Sequence, residues 1–228
     1  MKLLHALLPA CALLLPCVVS AETFEGKVTM KISTPTMKDG SQDIDFSIKE
    51  GYMRIDMNSS RGSAAVITDF KNRKMLILMV AQKMFISRPI PQPGAVPPGA
   101  AGAYDPSTHS LENTGMKETI LGYECTKYVA KGPEETADIW VTDQLGTFAG
   151  LFHGGGPGQH AQPPQAWEQA IMGKGFFPMK VVANGQHGTT TLEVTAVQKE
   201  SLPDSLFAAP DGWRDLSAMM GGMMPGGH

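Results

Sequence analysis

The chain ends in a cluster of soft metal ligands. Residues 219–228 read Met-Met-Gly-Gly-Met-Met-Pro-Gly-Gly-His, which places four thioethers beside a terminal imidazole. Thioether and imidazole groups are ligands that suit copper. A glycine-rich segment, however, fixes no coordination geometry, and no second Met/His cluster in the sequence completes a site. Copper handling through this tail is therefore kept as the alternative to the binding function predicted below. No resident metal or cofactor is expected.

Cys125 is the one thiol expected in the folded domain, because Cys11 and Cys17 lie in an N-terminal leader described below. A lone cysteine cannot form an intramolecular disulfide. Cys125 stands in an alternating run between Tyr123 and Tyr128, where a free cysteine is usually a small buried apolar residue. The alternative is a reactive or intermolecular thiol, which would need a histidine brought close by the fold.

The sequence contains no motif of a known catalytic centre. Gly-x-Ser-x-Gly, His-Glu-x-x-His, Cys-x-x-Cys and the phosphate loop Gly-x-x-x-x-Gly-Lys are all missing. The glycine-rich run at 154–158 lacks a lysine and includes Pro157, which has no amide hydrogen to donate. His153, His160 and His187 are scattered among glycine and glutamine. We therefore expect no enzymatic activity; an enzyme whose residues meet only in the folded chain is the alternative.

Methionine is the residue type in excess, with 15 in 228 residues. Its flexible, polarizable thioether can fill an irregular core or line a surface that accepts varied apolar ligands. We favour the second interpretation because the strands predicted below are apolar on one side, and only one or two short helices can cover them. The predicted ligand is a lipid, a lipoprotein or another hydrophobic partner. The predicted ligand-binding residues are Val28, Met30, Ile32, Ile44, Phe46, Ile48, Met53, Ile55, Met57, Trp167 and Ile171.

Alternation of apolar and polar residues is the strongest structural signal. Ile44, Phe46 and Ile48 alternate with polar residues, as in a strand with one buried and one solvated face. The run 75–80 is apolar at every position, which predicts a strand in the middle of the sheet, covered on both faces. In all, eleven strands are predicted, at 24–32, 43–49, 52–57, 64–69, 75–80, 84–88, 117–121, 123–130, 137–142, 176–183 and 189–198.

The remaining segments complete a single all-β domain, 22–214, with a small helical lid. Proline and glycine at 89–115 predict a flap or loop that joins no sheet. Residues 163–172 predict a helix with Trp167 and Ile171 on its packing face. Residues 143–152 are a short helix or an irregular segment, 202–207 a tight helical turn, and 215–228 a flexible tail.

Residues 1–21 have the pattern of a cleavable secretory signal. Lys2 precedes the apolar stretch 3–19, and Val19 and Ala21 occupy the positions that signal peptidase reads. That stretch is shorter than the about 20 residues needed to span a bilayer, so no transmembrane segment is predicted. A lipid-modified cysteine is the less favoured alternative, because Pro16 precedes Cys17 and modification of Cys11 would leave a very short signal. We expect cleavage after Ala21 and a periplasmic location.

The charge of the chain excludes two classes of partner. The formal net charge is −3, and no basic block occurs. A chain of this kind offers no electrostatic footprint for nucleic acid. It also lacks a polybasic patch for anionic lipid head groups.

Several segments resemble an exported bacterial family that is catalogued as a domain of unknown function (forty-four-twelve). They are Phe-Glu-Gly-Lys-Val-Thr-Met-Lys at 24–31, Ser-Ile-Lys-Glu-Gly-Tyr-Met-Arg-Ile-Asp at 47–56, Thr-Ile-Leu-Gly-Tyr-Glu-Cys-Thr-Lys-Tyr at 119–128, Asp-Ile-Trp-Val-Thr at 138–142, Gly-Phe-Phe-Pro-Met-Lys at 175–180 and Ser-Leu-Pro-Asp-Ser-Leu-Phe at 201–207. Such proteins are similar to the periplasmic lipoprotein-carrier (LolA-like) superfamily. The resemblance implies a curved antiparallel sheet, or half-barrel, with helices capping its concave face. It implies no catalytic residues.

Overall fold

The structure is a computed structural model that describes residues 23–35, 37, 40–59, 62–90, 108–151, 164–186 and 188–218. Within these ranges the chain forms twelve strands, one α-helix and two 3-10 turns. The strands are β1 (Gly26–Ser33), β2 (Gln42–Lys49), β3 (Tyr52–Ser59), β4 (Gly62–Asp69), β5 (Lys74–Met79), β6 (Met84–Pro89), β7 (Ser110–Ile120), β8 (Tyr123–Lys131), β9 (Glu135–Thr142), β10 (Phe177–Gly185), β11 (Gly188–Lys199) and β12 (Arg214–Asp215). The helix α1 comprises Ala166–Ile171, and the 3-10 turns comprise Val80–Gln82 and Asp204–Phe207.

All the strands of the described chain belong to one curved, open sheet. Their order is β12-β6-β5-β4-β3-β2-β1-β11-β10-β9-β8-β7. Neighbours are antiparallel, except that β12 runs parallel to β6. The predicted fold, a mainly β curved antiparallel sheet with a short helical cover, is confirmed, and β1 to β11 correspond to the eleven predicted strands. The strand β12 was not predicted, because two residues are too few to show a period.

One face of the sheet, termed the inner face, carries the main hydrophobic core. Residues directly paired across antiparallel strands share a face of the sheet. Val28 of β1 pairs with Phe46 of β2, which pairs in turn with Ile55 of β3. All three side chains are buried in one cluster that extends from β1 to β3 and from β8 to β11.

Four residues from the 143–151 loop and α1 cover this core and are termed the plug. They are Leu145, Phe148, Trp167 and Ile171, and each is fully buried. Trp167 and Ile171 are four residues apart and therefore lie on one side of the helix. The predicted helix at 163–172 is confirmed in its centre, while described residues 143–151 are irregular.

The outer face of β3 to β6 is covered by the C-terminal segment. The cluster there comprises Tyr52, Ala65, Ile67, Leu76, Leu78, Phe85, Leu202, Leu206, Phe207 and Trp213. Two cations of the sheet hold this segment: Arg54 Nη1 donates to the carbonyl of Leu206 at 2.9 Å, and Lys49 Nζ to that of Leu202 at 2.7 Å. The predicted helical turn at 202–207 is confirmed as Asp204–Phe207.

Three sequence expectations are corrected. β7 begins at Ser110, so the last residues of the predicted 89–115 flap form a strand. β5 is third from the β12 edge and not in the middle of the sheet. Residues 215–217 of the predicted tail belong to the fold, because Leu216 N–H donates to the Phe85 carbonyl at 2.9 Å and Ser217 Oγ accepts from Ser87 N–H at 2.7 Å. The leader 1–21, most of the flap and the tail from 219 lie outside the described residues.

The edge strand β7 contains a bulge. Between Asn113 and Lys117 the register with β8 shifts, because three residues of β7 stand opposite the single residue Lys127. Gly115 at the centre has a φ of 71°, in the left-handed region that favours glycine. Its N–H donates to Asn113 Oδ1 at 2.8 Å. The bulge thus interrupts the row of backbone groups that an edge strand would offer to another chain.

Candidate functional site on the inner face

The structure places all eleven predicted ligand-binding residues on the inner face or in the plug. Eight of them are at most 5% exposed and belong to the main core: Val28, Met30, Phe46, Ile48, Met53, Ile55, Trp167 and Ile171. The other three, Ile32, Ile44 and Met57, are partly buried and pack against that core. The six of the eight buried residues that lie on the sheet would meet a ligand only if the side chains packed over them moved away. Ligand contact by these residues stays a prediction.

Aromatic contacts tie the plug to the sheet. The ring of Phe148 stacks on Trp167 with centroids 6.0 Å apart and meets Phe177 edge-on at 5.9 Å. Phe46 of the sheet also meets Phe177 edge-on, at 5.4 Å. Each such pair adds about 0.5–1.5 kcal/mol beyond the burial of its surface. The plug is therefore a firm part of the core over this half of the sheet.

Beyond the plug, the inner face continues across β3 to β6 as an apolar surface. Directly paired residues form three rows across these four strands: Ile55, Val66, Ile77 and Ile86; Met57, Ala64, Met79 and Met84; Met53, Thr68, Met75 and Arg88. The apolar members that extend beyond the core are termed the methionine patch: Met57, Ala64, Val66, Met75, Ile77, Met79, Met84 and Ile86. Four of the eight are methionines.

The methionine patch lies outside both buried clusters of the described residues, except that Met57 packs against the main core. Val66 and Ile86 are buried, and the other six side chains are half-buried. A strand spacing of about 4.8 Å and a step of about 6.7 Å between alternate residues make the patch about 14 Å wide and about 13 Å long.

The sequence of β5 contained a signal for this patch, but the signal fits two structures: a strand buried on both faces, or a strand with one buried face and one partly exposed apolar face. β5 is apolar at every position, which normally indicates a strand covered on both faces. In the structure Leu76 and Leu78 face the C-terminal segment, whereas Ile77 and Met79 lie in the methionine patch. Period-two patterns separate the two sets of residues but cannot tell which set joins a buried cluster.

A single cation stands at one corner of the methionine patch. Of the twelve residues in the three paired rows of β3 to β6, only Arg88 carries a charge. It is exposed, it is directly paired with Met75, and Ile86 precedes it on the same face of β6. No carboxylate among the described residues forms an ion pair with it.

Two carboxylates anchor the plug. Glu168 is fully buried, and its Oε2 accepts the N–H of Leu151 at 2.9 Å. Glu135 Oε1 accepts the N–H of Trp167 at 3.3 Å. Burial raises the pKa of Glu135 above its ordinary value, the charge of Glu168 adds to the rise, and the Trp167 amide and His109 oppose it. These contacts fix the loop and the helix that carry the plug.

Cys125 has the environment of a structural residue. It is fully buried, and its thiol donates to the carbonyl of Tyr123 at 3.4 Å. Burial raises the pKa of the Cys125 thiol, which keeps it protonated and weakly nucleophilic. The structure therefore favours the buried apolar interpretation over the reactive thiol.

The other polar candidates from the sequence remain untested. His153, His160, His187 and the Met/His tail lie outside the described residues. Among the residues that are described, no group of three or more His, Cys, Asp or Glu side chains could hold a metal ion. Copper handling by the tail stays a prediction. In the described ranges no helix has the length and apolar character to cross a bilayer, α1 comprising only six residues.

The chain belongs to the family described as Domain of unknown function (DUF4412), whose sequence model matches residues 24–213. This confirms the resemblance drawn from the motifs in β1, β3, β8 and the 201–207 segment. A search of curated proteins finds no match to this chain.

The solved structures that match this chain share little sequence with it. PNGF-II, in its C2 crystal form, is 17% identical with a TM-score of 0.50; the match covers 87% of this chain and 32% of PNGF-II, so the chain spans about a third of that protein. An uncharacterized conserved protein from Thermus thermophilus is 8% identical with a TM-score of 0.49, covering 86% and 92% of the two chains. The Mycobacterium tuberculosis lipoprotein LppX is 11% identical with a TM-score of 0.32, covering 78% and 89%. At these identities the likeness to PNGF-II concerns the fold alone.

Proposed function

We propose that this protein is an exported, non-catalytic binding module that holds the hydrocarbon part of a lipid, lipoprotein or similar partner against the methionine patch. One observation carries the proposal. The patch is a continuous apolar surface on four paired strands, and its members other than Met57 lie outside both buried clusters of the described residues. A partly exposed apolar surface outside the buried clusters is suited to binding an apolar ligand.

The two faces of β3 to β6 differ in rigidity: the outer face is fixed by packing, and the inner face carries flexible side chains. On the outer side, the C-terminal segment packs against the strands and is held by Arg54 and Lys49. On the inner side, methionine side chains present flexible thioethers that can fit chains of different shape. A fixed backbone that carries adaptable side chains suits a site that accepts several hydrocarbon ligands.

The size of the patch indicates reversible binding. Burying about 200 Å² of hydrocarbon contributes about 5 kcal/mol before the costs of association. Only part of that remains as affinity, so a ligand would be retained loosely and released again. Such reversible binding suits a protein that carries a ligand and releases it better than a protein that keeps a permanently bound group.

Export is supported by the sequence of residues 1–21, with its positive start, short apolar stretch and small residues before position 22. The expected result of cell fractionation is a chain shortened by 21 residues in the periplasmic fraction. A full-length chain retained in the cytoplasm would contradict this part of the proposal.

Extraction of lipid from the purified protein tests the binding function. The full chain is expressed with its leader, purified without detergent, extracted with organic solvent and measured by mass spectrometry. We expect stoichiometric or substoichiometric lipid in the wild type and about tenfold less in the double variant Met79→Glu/Met84→Glu, because buried carboxylates oppose an apolar ligand.

The matched control is Met116→Glu on the β7 edge, where the side chain is 61% exposed. It should retain as much lipid as the wild type, and circular dichroism should show the same sheet content in all three proteins. Lipid-free wild-type protein that also fails to take up a fluorescent apolar probe would overturn the proposal. A loss of bound lipid in Met116→Glu as large as in the double variant would also overturn the proposal.

A further inference from the structure

We infer that the preferred ligand is a single-chain carboxylate, with its head group on Arg88 and its hydrocarbon chain along the methionine patch. The inference rests on the proposed function and adds to it the chemical class of the ligand. Its basis is the position of one cation at the end of an otherwise uncharged face.

The geometry of β6 gives the ligand its direction. Arg88, Ile86 and Met84 are alternate residues and lie on the inner face in that order. Steps of about 6.7 Å between alternate residues place Met84 about 13 Å from Arg88 along the strand. A chain held at Arg88 by its head group would lie over Ile86 and Ile77 and end near Met79 and Met84.

The side chain of Arg88 is suited to such a head group. An arginine stem packs along apolar surface while its guanidinium stays in water. The guanidinium offers a fork of N–H donors that matches the two oxygens of a carboxylate. No carboxylate of the described residues forms an ion pair with Arg88, so none of them competes with a ligand for this fork.

Charge balance favours a carboxylate over a phosphate. Arg88 supplies one positive charge, and the other eleven residues of the three paired rows supply none. A phosphate monoester carries about two negative charges at neutral pH, so one charge would remain without a partner at the edge of an apolar surface. A carboxylate carries one negative charge, which Arg88 neutralises, so no charge remains without a partner.

Lys74 provides a matched control at the same end of the sheet. It is directly paired with Pro89, the residue after Arg88, and its side chain therefore lies on the outer face. It is exposed, like Arg88. Replacing either residue by glutamine removes one positive charge from the same end of the sheet but from opposite faces.

The test measures binding of dansylaminoundecanoic acid and of its methyl ester by fluorescence titration of the full chain after delipidation. The wild type should bind the acid about tenfold more tightly than the ester, the size expected for one partly exposed charge-assisted pair. Arg88→Gln should remove this difference by weakening the acid alone. Arg88→Lys should restore part of it, and Lys74→Gln should bind both probes like the wild type.

Salt provides an independent readout, because screening weakens an exposed ion pair but not an apolar contact. Raising the ionic strength should weaken binding of the acid and leave the ester unchanged. A dansylated alkyl phosphate of the same length should bind no more tightly than the acid.

The outcomes separate this inference from the proposed function. Equal affinities for acid and ester in the wild type, unchanged in Arg88→Gln, would overturn the role of Arg88 and leave the apolar site standing. Tighter binding of the alkyl phosphate would overturn the choice of a carboxylate. Failure of the wild type to bind either probe would overturn the proposed function as well. Equal effects of Lys74→Gln and Arg88→Gln would show general charge attraction and contradict a head-group site.

Discussion

The rings of Phe148 and Trp167 stack with their centroids 6.0 Å apart and their planes at 18°. Phe148 comes from the irregular 143–151 loop and Trp167 from the first turn of α1, so the contact joins two short segments into one cover for the core. Glu168 and Glu135 fix the same two segments through the amides of Leu151 and Trp167. A sheet with little helical cover thus obtains a dense core over one half of its inner face.

Trp167→Ala should be strongly destabilising. The side chain is fully buried in the plug, and removing a buried aromatic ring costs about 3–5 kcal/mol through lost burial and the cavity left behind. Urea denaturation measures this loss in the free energy of unfolding. Trp140→Ala is the control, because Trp140 is half-buried and its ring contacts the ammonium groups of Lys127 and Lys180 at 4.9 and 5.1 Å. Similar losses in the two variants would contradict the role assigned to the plug.

Glu135→Gln should make the protein more stable at neutral pH and flatten its pH dependence. The folded state raises the pKa of Glu135 above the 4.5 of an unperturbed glutamate, through burial and the nearby Glu168. A raised pKa in the folded state favours the protonated form, so the stabilisation is complete below about pH 4.5 and is lost as the pH rises through the folded value. Glutamine is neutral throughout and keeps an oxygen for the Trp167 amide.

Thermal unfolding between pH 4 and pH 8 measures the effect of Glu135→Gln. Glu134→Gln serves as control, because Glu134 is the exposed neighbour in the chain. A Glu135→Gln protein that loses stability at neutral pH would show that the ionised carboxylate is needed and would contradict the expected sign.

Truncation should locate the end of the folded domain between residues 213 and 218. A chain ending at Ala218 keeps β12 and should unfold at the same urea concentration as the full chain. A chain ending at Trp213 loses two hydrogen bonds: the one that the Leu216 N–H donates to the Phe85 carbonyl, and the one that the Ser217 hydroxyl accepts from the Ser87 N–H. With about 1 kcal/mol for each lost hydrogen bond, it should be less stable by about 1–3 kcal/mol. Equal stability of both truncations would mean that β12 does not contribute.

Removing the bulge in β7 should promote self-association. The bulge places three residues opposite Lys127 and breaks the regular edge of the sheet. Deleting Thr114 and Gly115 restores one-to-one pairing and creates a long regular edge strand, which pairs readily with another chain. Light scattering after size exclusion should show dimers or larger species. Gly115→Asn keeps the bulge, since asparagine tolerates the left-handed region, and should behave like the wild type; association of both variants alike would contradict the role of the bulge.

The two-residue period of the sequence by itself determined much of the fold. A pleated strand points alternate side chains to opposite faces, so Phe46, Ile48, Met53 and Ile55 could be assigned to one face from their spacing alone. The same reasoning located β1 to β11 and the packing side of α1 around Trp167. The structure confirms these assignments.

Only the tertiary structure decided which part of the apolar face belongs to the main core and which lies outside it. Strand order is set by pairings between segments far apart in the chain, such as β1 with β11 and β12 with β6, and local periodicity carries no information about them. Phe46 contacts Phe148 of the plug and lies in the main core, whereas Ile77 and Met79 belong to neither buried cluster of the described residues. Burial is a property of the assembled layers: a residue's spacing gives the face on which it lies, and the elements that pack on that face determine whether it becomes part of the core.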